Sequence, residues 1–267
     1  MHRIATAMVL APGLWLAIRH APPAVFHALT LLVVAVAAGE CYRMLEAAGR
    51  RPFVWIGIAA AAGTASTFIG GSAPALPLVA GGAVTLGAAL LSRAEPGEML
   101  DSALATAFPV LFVGLSLGHL SGLRSMPGED GQDLLLLLFL CVILADTAAY
   151  YVGRAIGRHP LAPRLSPKKS WEGALAGLAA SVLAGLVAHL WFYRRLPLPH
   201  ALGLGAILGS ASIAGDLAES MVKRAAGVKD SSRLLPGHGG LLDRTDSLLF
   251  SAPLLFYYYR ALLEHRP

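Results

Sequence analysis

Charge is what this chain has least of. Asp, Glu, Lys and Arg supply 14% of its 267 residues, where a soluble domain carries about 25%. The deficit runs the whole length, which excludes a soluble domain on a single anchor. The short alternating apolar segments of a transmembrane β-barrel are missing too. Cysteine is scarce: Cys41 and Cys141 make no metal-ligand spacing and no disulfide framework, and read as small buried hydrophobes. No internal repeat and no long disordered linker interrupts the chain. Its opening, MHRIATAMVLAPGLWLAIRHAPP, has a basic start and an apolar middle but no clear small-x-small cleavage site. It reads as a retained first helix rather than a signal peptide.

What remains is hydrocarbon-like. Hydrophobic residues make up 56% of the chain and the mean hydropathy is +0.63. The fold class this predicts is all-α, a polytopic integral membrane protein. Nine apolar runs serve as candidate helices: 4–18, 24–39, 53–70, 73–91, 103–123, 134–153, 174–193, 201–221 and 247–259. A span needs about 20 residues, so the first and last are short. Threading the nine through a bilayer puts 15 of the 21 Lys and Arg on one side and six on the other. That asymmetry marks the basic side as cytoplasmic, with the N-terminus inside and the C-terminus outside. It also explains the net charge of +5 by basic loops, with no nucleic-acid partner required. The sequence divides into N-terminal transmembrane helices, 1–130, and a C-terminal set, 131–267, whose cytoplasmic loops carry the chemistry.

One segment, GDLAESMVKRAAGVKDSSRLLPGHGGLLDRTD (215–246), does not fit its surroundings. Asp216, Glu219, Ser220 and Lys223 fall at i, i+3, i+4 and i+7, one face of a helix. The stripe begins inside an apolar run, where a short-stemmed Asp is costly and is by default a functional candidate. Snorkelling accounts for Lys223 and Arg224 but not for Asp216. The turn Pro236–Gly237–His238–Gly239–Gly240 cannot be helix interior, and its glycines allow backbone N–H groups to approach a phosphate. A loop that merely connects helices would look similar. Asp243 and Asp246 follow at i, i+3, a spacing that suits Mg²⁺, a hard cation taking carboxylate and phosphate oxygens. Capping of the next helix by Asp246 or Ser247 is the alternative reading. Carboxylates at both ends of a basic, Gly-rich loop suit metal-assisted phosphoryl or nucleotidyl transfer.

The same string resembles the signature of the phosphatidate cytidylyltransferases, or CDP-diacylglycerol synthases. The matching positions are Ser220, Val222, Lys223, Arg224, Lys229, Asp230, Pro236, His238, Gly239, Gly240, Leu241, Asp243, Arg244 and Asp246. Upstream, ADTAAYYVGRAIGRHPLAPRLSPKKSWEG is similar to the family's other conserved block, through Asp146, Ala149, Tyr150, Ser166, Pro167, Lys168, Lys169, Ser170, Glu172 and Gly173. That block has its own physics. Asp146 lies near the end of an apolar helix with Tyr150 one turn on. Ser170 is placed to cap a helix starting near Trp171, and a helix N-terminus beside two lysines is a ready anion site. The N-terminal third matches only in general character.

The resemblance implies a membrane enzyme of the bacterial inner membrane, its site facing the cytoplasm. Its substrates would be CTP and phosphatidate, its cofactor Mg²⁺, and its products CDP-diacylglycerol and pyrophosphate; a homodimer is allowed for. Asp216, Asp243 and Asp246 would hold metal, with Asp146 and Glu219 as further candidates. Lys223 and Lys229 would join the three aspartates in catalysis. Lys168, Lys169, Ser170, Ser220, Arg224, His238, Gly239, Gly240 and Arg244 would bind substrate. A CTP-dependent polyprenol or phytol kinase is the nearest rival. An ion-coupled transporter would use the carboxylates as ion sites, but the charges cluster on one side and no inverted repeat is evident.

Overall fold

The computed structural model describes residues 13–70, 75–92, 94–234 and 239–264. Most of the first apolar run, Arg93, and the expected phosphate-binding residue His238 with Pro236 and Gly237 lie outside the described residues. Contacts group the chain into two units, one from 1–125 with 222–245 and one from 126–221 with 246–267. The sequence division near residue 130 keeps the whole motif-rich segment in the second half. By contacts, 222–245 instead packs with the N-terminal helices.

In the first unit, α1 (Pro23–Ala47) opens on a proline, whose missing N–H costs nothing at the first helical position. Helix α2 (Val54–Ser66) continues as a 3-10 turn (Thr67–Gly70), and α3 (Ala75–Leu91) follows. Helix α4 (Pro96–Pro109) passes through a π segment (Val110–Leu115) into α5 (Ser116–Arg124) as one apolar rod. The register widens after Pro109, the residue with no N–H to give the turn before it. A Cβ on Gly114 would stand 2.7 Å from Ala61 Cα, so the π segment meets α2 backbone to backbone. Val34, Ala37, Cys41, Ala61, Val113 and Leu117 fill the core between them, each fully buried. Tyr42 donates to Thr106 O at 2.7 Å, and Thr106 Oγ1 accepts from Phe53 N at 2.8 Å, tying α1 and the start of α2 to α4.

In the second unit, α6 (Asp130–Ile156) leads to a hairpin of β1 (Pro160–Ala162) and β2 (Ser166–Ser170), then to α7 (Trp171–Leu190), α8 (Leu198–Ala225) and α10 (Leu248–Leu262). The last turn of α8 and the short α9 (Leu242–Thr245) belong to the first unit. Helices α6, α7 and α8 touch through small residues. A Cβ on Gly173 would lie 2.7 Å from Ala149 O, one on Gly177 2.8 Å from Ala145 O, and one on Gly205 2.6 Å from Ser181 O. Hydrocarbon supplies no hydrophobic force between helices, so such close backbone approach is what holds them. One short antiparallel hairpin, pairing Pro160 with Ser170 and Ala162 with Ser166, is set into the otherwise helical chain. Pro160, Pro163 and Pro167 bar helix there.

Large apolar side chains face outward along the helices: Leu91 is 83% exposed, Leu76 77%, Leu175 and Leu190 61%. A lipid environment accounts for such a surface; water does not. Five helices among the described residues are long and apolar enough to cross a bilayer: α1, the α4–α5 rod, α6, α7 and α8. The helical stretches Val54–Ile69 and Leu76–Leu91 are apolar but shorter. The chain is a polytopic α-helical membrane protein, and five of the nine expected spans reach full length among the described residues.

Candidate active site

In the second unit, three acidic residues converge. Asp216 and Glu219 sit one turn apart on α8, and Asp246 comes from the turn that leads into α10. Each offers a carboxylate oxygen within 4.8 Å of the others. Gly215 brings the third one in, because a Cβ there would collide with the carbonyl oxygen of Asp246. Glu219 is fully buried. Like charges this close disfavour one another unless a cation intervenes. Lys169, the last strand residue before Ser170, supplies one: its Nζ lies 2.5 Å from Asp216 Oδ2. Ser220 donates to Asp216 Oδ1 at 3.3 Å, which orients the carboxylate. The donor set is all hard oxygen, and a divalent ion such as Mg²⁺ fits it.

The hairpin holds Lys169 in place. Glu172 accepts from the backbone N–H groups of Arg158 at 3.2 Å and His159 at 3.3 Å, and contacts His159 Nδ1 at 2.5 Å. Ser170 accepts from Gly173 N at 3.2 Å and caps α7, as its sequence position predicts. Side chains alternate along a strand, so Lys168 faces away from Lys169 and is exposed. Asp146 does not join the acidic group directly. Its Oδ2 accepts from Ser247 Oγ at 3.1 Å, while Ser247 N donates to Asp246 Oδ1 at 2.7 Å, so Ser247 links the two aspartates.

In the first unit, Asp243 is not among those three converging acids. Its Oδ1 accepts from Lys223 Nζ at 2.7 Å; its Oδ2 accepts from Gly240 N at 2.7 Å, Ser231 Oγ at 2.8 Å and Ser231 N at 2.9 Å. Burial pushes the Asp243 carboxyl up, but Lys223 and the Gly240 and Ser231 amides overcome it and hold it down to about 2. Helix α8 stops where this arrangement needs it to. Gly227, at φ +67°, gives the left-handed residue of a helix end. Val228 N then bonds back to Lys223 O at 3.0 Å and Gly227 N to Arg224 O at 3.1 Å. Arg224, Lys229 and Arg244 are exposed, and Gly240 is buried. Gly239, at φ +79°, holds a backbone that other residues adopt at a cost.

A residue with no sequence signal of its own anchors this loop. Glu40, 2% exposed on α1, accepts four hydrogen bonds from it, two of them from the backbone of Leu241 and Leu242. Ser231 and Ser232 are donors to the carboxylates that engage this loop, and Ser247, a capping candidate by sequence, donates to Asp146.

These arrangements accompany a family match. The model of the cytidylyltransferase family matches residues 1–262. The chain is 48% identical over 130 residues to the phosphatidate cytidylyltransferase of Synechocystis sp., covering 48% of this chain and 43% of the relative. It is 47% identical over 133 residues to that of Haemophilus influenzae, covering 48% and 46%. With that of Mycobacterium bovis it shares 39% over 158 residues, covering 59% and 51%. The chain spans about half the length of the curated relatives it matches. With the family match running over nearly all its length, the chain belongs to the cytidylyltransferase family.

Proposed function

We propose that this protein transfers the cytidylyl group of CTP to phosphatidate, giving CDP-diacylglycerol and pyrophosphate, at the cytoplasmic face of a bacterial inner membrane. The observation that carries this reading is the meeting of Asp216, Glu219 and Asp246 at the end of an apolar helix with Lys169 against Asp216. A lipid phosphate and a nucleotide triphosphate are both anions, and a site for them needs a hard cation and fixed positive charge beside hydrocarbon.

The phosphatidate phosphate already carries its nucleophilic oxygen. That oxygen bonds to the α-phosphorus of CTP as the bond to the β-phosphate oxygen breaks, and pyrophosphate leaves with the electron pair. Little proton transfer is asked of the protein, so positioning and charge neutralisation dominate. Bound Mg²⁺ would neutralise phosphate charge at the Asp216–Glu219–Asp246 oxygens. Lys169 then serves as a tethered ammonium that can pass from Asp216 to a phosphate. In the second unit Lys168 is a further exposed cation for phosphate charge; in the first unit the exposed cations are Arg224, Lys229 and Arg244. Ser220 orients Asp216, and the Lys223–Asp243 pair sets the loop that carries Lys229.

Labelled CTP tests the reading and separates it from the kinase alternative. Purified protein in phosphatidate vesicles with Mg²⁺ should move an α-phosphate label into lipid and release a γ-phosphate label as pyrophosphate. A γ label entering lipid, with CDP released, would contradict it.

A further inference from the structure

A carboxylate buried in an apolar helix is costly unless its lone pairs are filled. Those of Glu40 are filled by one loop. Oε1 accepts from Ser232 Oγ at 2.6 Å and Leu241 N at 3.0 Å; Oε2 accepts from Leu242 N at 2.7 Å and Ser231 Oγ at 3.2 Å. The donors come in pairs from two strings of the loop that are separated in sequence. The loop's own carboxylate, Asp243, is engaged by Lys223, Gly240 N and Ser231 N, and it shares the single Ser231 hydroxyl proton with Glu40. Gly240 makes room for the anchor: a Cβ there would stand 2.7 Å from each Glu40 oxygen and collide with Ser231 Oγ.

We propose that Glu40 is a positioning residue for the transfer reaction. It fastens Ser231–Ser232 to Leu241–Leu242 before substrate arrives and so fixes the placement of Lys229 and Arg244, without touching a reacting atom. The kinetic part of this rests on the function proposed above; the structural part does not.

The two backbone donors decide which side chain the position needs. Each Glu40 oxygen accepts one backbone N–H. Glutamine has the same size but one accepting oxygen, and it turns an NH₂ toward the other N–H. The serine hydroxyls can rotate to suit it; the Leu241 and Leu242 amides cannot. Glu40→Gln therefore keeps the packing of α1 and loses half of the anchor. A loop that must be ordered by its ligand binds that ligand more weakly.

The test uses the full chain in phosphatidate vesicles, as wild type, Glu40→Gln, Ser232→Ala and the double variant. Without nucleotide, Glu40→Gln should speed amide exchange at 229–234 and 239–245 by about tenfold, in line with about 1.4 kcal/mol for a lost hydrogen bond to a buried charge, and leave α1 and α2 unchanged. KM for CTP should rise about tenfold with kcat changed far less. Ser232→Ala should have a smaller effect and should not add fully to Glu40→Gln, because the two share one anchor. Wild-type exchange and KM in Glu40→Gln would overturn the proposal, and so would exchange that quickens equally through α1 and α2. Faster loop exchange with an unchanged KM would overturn the link to the reaction. A wild-type protein that does not turn over CTP would overturn the proposed function instead, and the exchange result would still decide the anchor.

Discussion

The Lys169 ammonium rests 2.5 Å from Asp216 Oδ2, one residue before the Ser170 cap of α7. Strand β2 therefore delivers a cation to the acidic group on α8. Any divalent ion that binds there shares Asp216 with that ammonium. Lys169→Met should let Mn²⁺ bind several-fold more tightly, since a like charge is removed. Turnover should nevertheless fall at least about tenfold, because a phosphate loses its partner. Calorimetric Mn²⁺ titration and CTP turnover on the same preparation check both signs. Weaker Mn²⁺ binding in the variant would show that Lys169 supports the metal rather than competes with it.

Gly215 is where the Asp246 backbone packs on α8. Gly215→Ala forces the two apart while leaving every carboxylate in the chain. Mn²⁺ affinity should drop by about tenfold or more, and the protein should still insert. Overpacking of this kind costs about 1–3 kcal/mol. Wild-type Mn²⁺ affinity in Gly215→Ala would remove Asp246 from the metal group.

The Lys223–Asp243 pair is nearly enclosed, with side chains 11% and 7% exposed. Removing one partner of such a pair costs about 3 kcal/mol or more, so Lys223→Met should unfold at lower denaturant than wild type. The Asp243 carboxyl is depressed in the folded protein to about 2 from its ordinary 3.8. Its contribution is therefore complete above about pH 4 and lost as pH falls through about 2. Unfolding followed from pH 5 to pH 2 should show that loss in wild type and not in Asp243→Asn. Parallel curves for the two proteins would contradict the pairing.

The class of the protein and part of the site were legible in the chain for physical reasons. Scarce charge and long apolar runs have few outcomes besides a helical membrane protein. Asp216 and Glu219 meet because helical spacing alone puts i and i+3 on one face. Asp243 and Asp246 share that spacing in the sequence, but the converging group among the described residues holds Asp246 and not Asp243. Helix α9 ends at Thr245, so Asp246 leaves the helix and turns toward α8. Glu40 was illegible for a different reason: its partners stand 191 to 202 residues away. No local pattern records a contact of that range. The hairpin at 160–170 was hidden because its strands are three and five residues long, too short to show alternation.

The asymmetry of loop charge predicts the topology, and that prediction is open to direct test. Cys41 and Cys141 are buried, so single added cysteines report cleanly. Arg51→Cys and Arg164→Cys should react with an impermeant thiol reagent only from the cytoplasmic side, and Arg194→Cys only from the outer side. Labelling of positions 51 and 164 from opposite sides would break the alternation of basic loops on which the orientation rests.

In the proposed reaction, Asp216, Glu219 and Asp246 hold the cation that makes cytidylyl transfer possible. The most direct measurement of that role is the Mg²⁺ dependence of label transfer from CTP to phosphatidate in wild type, Asp216→Asn and Asp246→Asn. Wild type should saturate with Mg²⁺. Each variant should need about tenfold more Mg²⁺ and reach a maximum at least about a hundredfold lower while remaining folded in the membrane, since the metal acts at the developing phosphate charge. Variants that keep the wild-type Mg²⁺ curve and rate would contradict it.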